Sequence, residues 1–128
     1  MSYRSPLGQA RGLGSAKHGL HHWWVQRVTA LALIPLCLWL VFSIAALGHA
    51  DHAIVLAWIA QPFNTVLLIA FILALYYHSS LGVQVIIEDY VHSKWLKVSG
   101  ILLVNFANIL LAIIAIVAVL KIAFGAGS

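Results

Sequence analysis

Charge is what this chain has least of. Asp and Glu together number 3, and charged residues make up 8% of the 128 positions. A water-soluble domain of this length needs a polar shell that such a composition cannot supply. The single cysteine, Cys37, excludes an intramolecular disulfide and a thiolate metal cluster. Set inside an apolar segment, it reads as a small buried apolar residue. No internal repeat is found, and there is no room for a separate catalytic domain. What is present is apolar: 63% of residues are hydrophobic and the mean hydropathy is +1.02. The class is therefore an all-α integral membrane protein with the lipid bilayer as its medium. The formal charge of +4 raises nucleic acid as a partner. The charges sit at the ends of apolar segments rather than in a stripe, which excludes it.

Residues 1–20 are polar, Gly-rich and basic (Arg4, Arg11, Lys17), with no acid. They read as an arm, mobile or held by a partner, and residues 21–128 as a single transmembrane domain. Gly48-His49-Ala50 could pass for a signal-cleavage site, and an acid-free arm for a transit peptide. The apolar run Val28–Leu47 is too long for a typical signal core and of the right length for a span. Spans are expected at about 28–47, 63–87 and 98–120, with Pro35 inside the first. The stretch from Asp51 to Ala60 is apolar but too short to cross. It should form an interfacial helix or an early extension, with Trp58 near the boundary and Pro62 as a break.

Basic residues set the orientation. Arg4, Arg11, Lys17 and Arg27 precede the first span, and Lys94 and Lys97 follow the second. The connection between those spans carries Asp51 and no Lys or Arg. The N-terminus and the 88–97 loop are thus expected inside and the C-terminus outside, with Lys121 the one dissenter.

One stripe of the second span carries the chemistry. His78 lies within it, and Asp89 follows 11 positions later at its end, beside Glu88 and Tyr90. A helix turns about 100° and rises about 1.5 Å per residue, so Asp89 lies nearly below His78 and roughly 16 Å along. Ionisable groups inside a span are costly and mark ligand, ion or cofactor sites. No other residue in the middle of the spans is a good metal ligand. A zinc site wants three or four side chains, whereas a porphyrin brings four nitrogens and leaves only one or two axial positions to protein. His78 therefore suits haem better than a bare metal, with Gly82 one turn later leaving room for a flat macrocycle. The alternative is a histidine hydrogen-bonded to a neighbouring helix.

Asp89-Tyr90 reads either as a helix-end acid with a belt tyrosine or as a quinone site, the phenol donating to a quinone carbonyl. His21-His22-Trp23-Trp24-Val25-Gln26-Arg27 is an interface anchor, and its arginine could also pair with an anion such as a haem propionate. Asn105 and Asn108, on one face of the third span, suit hydrogen bonds to another helix. His18, His49, His52 and His92 receive no role.

Two blocks of this sequence resemble the small hydrophobic membrane-anchor subunit of succinate dehydrogenase, of cytochrome b type. One is His21-x5-Arg27-x-Thr29-Ala30, leading into the first span. The other is His78-x3-Gly82-x6-Asp89-Tyr90. The resemblance implies three transmembrane helices in a bundle completed by a second anchor subunit. It implies His78 as axial ligand of a haem b shared with that subunit, with Gly82 packing against the haem. Arg27 is implied near the propionates and the quinone pocket, His21 beside it, and Tyr90 and Asp89 in the ubiquinone site. Partners would be flavoprotein and iron–sulfur subunits, in a respiratory complex of the bacterial cytoplasmic membrane or else the mitochondrial inner membrane. The chain would not be catalytic by itself. Two other functions stay open: the anchor of a quinol:fumarate reductase, and a non-redox transporter or assembly subunit.

Overall fold

The computed structural model describes residues 16–125, with side chains from Gly19 onward. It contains four helices: α1 (Ala16–Leu47), α2 (His52–Ala60), α3 (Pro62–Tyr90) and α4 (Lys94–Gly125). No strand occurs among the described residues. Three helices are long and apolar enough to cross a membrane, over Gly19–Leu47, Pro62–Tyr90 and Lys94–Gly125. Each of the three contains one of the expected stretches, about 28–47, 63–87 and 98–120, and extends beyond it. Hydropathy marks only the part inside hydrocarbon, about 30 Å thick, while the backbone stays helical until a specific signal stops it. At about 1.5 Å per residue the 29-residue α3 reaches roughly 44 Å. Residues 16–20 belong to α1, and residues 1–15 of the basic arm lie outside the described region.

Each stop has a cause. α1 ends at Gly48, whose φ of 50° is left-handed and whose N–H returns to Ile44 O at 3.1 Å. Pro35 continues within α1, where its missing N–H leaves the carbonyl one turn earlier without its helical donor. The stretch after Asp51 forms its own helix, α2, rather than an extension of the second span. Gln61 is extended and Pro62 opens α3 at its first turn. That corner closes its own hydrogen bonds. Asn64 Nδ2 donates to Trp58 O at 2.9 Å and to Gln61 Oε1 at 3.1 Å. The Thr65 hydroxyl donates to Ile59 O at 2.6 Å. The Ile59 carbonyl, left without a helical donor at the end of α2, is thereby paired, and the Trp58 carbonyl, which also accepts from the Gln61 N–H at 3.3 Å, gains a second donor. Stacked rings of Trp39 and Trp58, 5.5 Å apart, tie α1 to α2.

α3 is the central helix, packed against α1 on one side and α4 on the other, while α2 contacts both α3 and α4. The interior is small. The buried apolar residues are Ile72 and Leu81, and the buried polar residues are Asn64 and Thr65. Large apolar side chains such as Phe42, Leu103 and Phe106 face outward. This is the arrangement of a bundle solvated by lipid or by other membrane subunits, where hydrocarbon outside is as apolar as the core. Cys37 illustrates it. Expected to be buried, it is exposed, because in a membrane span apolar character does not report which face turns inward.

Candidate functional site

His78 is half-buried on α3 and meets α1. Its Nδ1 lies 3.1 Å from Thr29 Oγ1. The same hydroxyl lies 2.8 Å from Val25 O and 3.0 Å from Gln26 O, one turn back on its own helix. A threonine hydroxyl has one proton to give and lone pairs to accept with. A carbonyl oxygen has no proton of its own, so the 2.8 Å contact to Val25 O requires the hydroxyl's. With that proton given to the carbonyl, Thr29 Oγ1 has a lone pair left to accept from His78 Nδ1 in the tautomer that carries its proton there. In that tautomer Nε2 keeps its lone pair. Among the described residues no buried side-chain nitrogen or oxygen lacks a partner, and none of them bonds Nε2. Nε2 therefore opens on the chain's surface. The two readings of this histidine are compatible: one ring nitrogen binds a neighbouring helix and the other is available as a ligand.

Gly82 stands one turn beyond His78. A Cβ placed there would find no atom within 4 Å, so the absence of a side chain opens space rather than allowing two helices to touch. The donor set fits haem and not a bare metal. No group of three or more His, Cys, Asp or Glu converges among the described residues. A single imidazole with an outward lone pair beside an open glycine face is what a porphyrin requires of one chain.

Asp89 and Tyr90 end α3 and are exposed, Tyr90 to 77%. Glu88 accepts from Gln84 Nε2 at 3.1 Å, one turn back. Arg27 and His21 are exposed on α1. The Arg27 guanidinium lies over the Trp23 ring, 5.5 Å from its centroid, a cation–π contact at the membrane boundary. The chain brings neither Arg27 nor His21 into bonding contact with Asp89, Tyr90 or His78. Arg27, His21, Asp89 and Tyr90 are exposed and His78 is half-buried, so a site common to them would need groups from outside the chain.

The opposite side of α3 is arranged differently. Ser80 Oγ donates to Asn105 Oδ1 at 2.5 Å across the α3–α4 interface. This is the interhelical bond expected of Asn105; Asn108, one turn on, makes no such bond. Both asparagines line a cavity of about 600 Å³ together with His22, Tyr76, Ser80 and Gln84. Sequence reasoning missed Thr29 and Ser80 as partners. Both stand inside the quoted motif blocks, but helix-to-helix pairing leaves no periodic mark in either helix alone.

The family profile of the succinate dehydrogenase/fumarate reductase transmembrane subunit matches residues 1–120. The chain belongs to the succinate dehydrogenase/fumarate reductase transmembrane subunit family. It is 37% identical over 117 residues to the succinate dehydrogenase hydrophobic membrane anchor subunit of Rickettsia bellii, covering 91% of this chain and 94% of that one. It is 31% identical over 127 residues to the corresponding subunit of Paracoccus denitrificans, covering 98% and 97%. The succinate dehydrogenase membrane anchor subunit of Reclinomonas americana is 36% identical over 92 residues, covering 70% and 77%. Members of this family are thus similar to this chain over nearly its whole length.

Proposed function

We propose that this chain is the small membrane anchor of a succinate:quinone oxidoreductase, contributing one axial ligand to a haem b and part of a ubiquinone-reduction site. The observation that carries the reading is the α3 stripe. Nε2 of His78 opens outward beside the bare face of Gly82, and Asp89 and Tyr90 are exposed at the end of the same helix. His78 would hold the haem iron and Gly82 would leave room for the ring. Arg27, with His21 near it, would meet the propionates and border the quinone pocket. When bound, haem supplies a one-electron centre within the bundle. The quinone reduction itself needs a proton-bearing donor at the carbonyl oxygen, and the Tyr90 phenol, exposed at the end of α3, would give that hydrogen bond with Asp89 beside it.

The exposed faces of α1, α3 and α4 support a second hydrophobic subunit that completes the bundle. A flavoprotein subunit and an iron–sulfur subunit would dock at the end bearing Tyr90, Lys94 and Lys97 and would supply the electrons, drawn from succinate, that reduce the quinone. By the distribution of Lys and Arg that end faces the cytoplasm, and the bacterial relatives favour a bacterial cytoplasmic membrane. Family membership favours this redox role over a transporter or assembly subunit. The family also includes fumarate reductase subunits, which gives a second reading, the same anchor with turnover reversed. Preference for a low-potential quinone over ubiquinone would favour it.

The test is the whole complex, purified in mild detergent, with wild-type chain or Tyr90→Phe. The variant should lower succinate-driven quinone reduction by roughly tenfold, the effect of one lost hydrogen bond. Succinate oxidation with a soluble artificial acceptor should be unchanged. Equal quinone rates in both complexes would remove Tyr90 from the site. Purification of the chain without flavoprotein and iron–sulfur subunits would refute the anchor role.

A further inference from the structure

We infer that Thr29 is a positioning residue: it accepts the Nδ1 proton of His78, so fixing the imidazole tautomer whose Nε2 lone pair points out of the chain. The inference rests on the haem reading above and adds a residue from a different helix to it. An imidazole with its proton on Nε2 cannot bind iron through that atom. His78 is half-buried between α1 and α3, and the bond that its Nδ1 makes there sets which nitrogen carries the proton.

Thr29 is suited to the task by its own local bond. A lone hydroxyl beside a histidine is ambiguous, because it can give or take. Here its one proton is committed to Val25 O at 2.8 Å, and only an acceptor is left facing Nδ1 at 3.1 Å. Serine and threonine commonly bond back to the preceding turn of a helix, and that habit turns this hydroxyl into a one-way acceptor. The contact also joins α1 to α3, so ring orientation depends on how those helices pack. A hydrogen bond to the outer nitrogen of a ligating histidine raises the basicity of the inner one. A more basic ligand favours ferric over ferrous iron, so Thr29 should hold the midpoint potential down.

The test uses the intact complex with Thr29→Val, which keeps the shape and removes the acceptor, and Thr29→Ser, which keeps it. The readouts are the haem midpoint potential and the low-spin ferric EPR spectrum. In the valine complex the ferrous-to-ferric ratio at a fixed potential should rise by about three- to tenfold, with altered g values. The serine complex should match wild type. A valine complex with haem bound and both readouts unchanged overturns the inference and leaves the haem reading standing. Wild-type complex without haem overturns both. Where the valine variant yields no complex, Thr29→Cys, which puts a weaker acceptor in the hydroxyl's place, is read in the same way, and the same shift or its absence decides.

Discussion

The two sides of α3 carry polar groups at nearly the same depth and use them in opposite ways. Toward α4, Ser80 gives its proton to Asn105 and the bond is closed within the chain. Toward α1, His78 bonds Thr29 through one ring nitrogen, and its second nitrogen has no hydrogen-bond partner among the described residues. The first is interhelical glue, worth on the order of 0.6 kcal/mol in a membrane. The second leaves one valence unspent, which an apolar medium tolerates only where something else meets it. A polar residue in a span is therefore read by its remaining bonding capacity more than by its presence.

Substitutions should separate the two sides sharply. His78→Ala should have the largest effect: the purified complex should lose its haem absorption band, and a band of full intensity would end the asymmetry argued here. Gly82→Leu comes next. Nothing in the chain meets a side chain at this position, so the subunit should still insert, while haem content drops because the new side chain fills the macrocycle's space. Unchanged haem-to-protein ratio would show that the open face serves another purpose. Ser80→Ala is the smallest of these. It should lower the detergent stability of the complex by about 0.5–1 kcal/mol and leave the haem spectrum alone. A spectral change as large as that from a substitution on the α1 side would make the two faces one site.

Much of this was legible before any coordinates. The spans stand out because hydrocarbon excludes charge over a fixed thickness, and the stripe from His78 to Asp89 follows from helical periodicity alone. What escaped depended on relations between helices. Thr29 looks like any threonine leading into a span until α1 lies against α3. The exposure of Cys37 could not be read from a run whose apolar residues cover every face. The corner was half legible: Pro62 announced a break, but nothing local showed that Asn64 and Thr65 would turn back to close the end of α2. The candidate site was legible residue by residue and not as an assembly, because Arg27, His21, Asp89 and Tyr90 all face away from the chain that bears them.

That closed corner bears on how the protein sits in its bilayer. A helix end that needs headgroup water must stay at a fixed level, since sinking it strips its carbonyls. Between α2 and α3 the Trp58 and Ile59 carbonyls bring their own donors, so this corner constrains depth less than a bare helix end would. The opposite end, with Glu88, Asp89, Tyr90 and Lys94 in sequence, has no such latitude. The acidic end of α3 is thus registered at the surface where Tyr90 would meet quinone, while at the far side the exposed Asp51 and His52, and not the corner, hold the chain at its level.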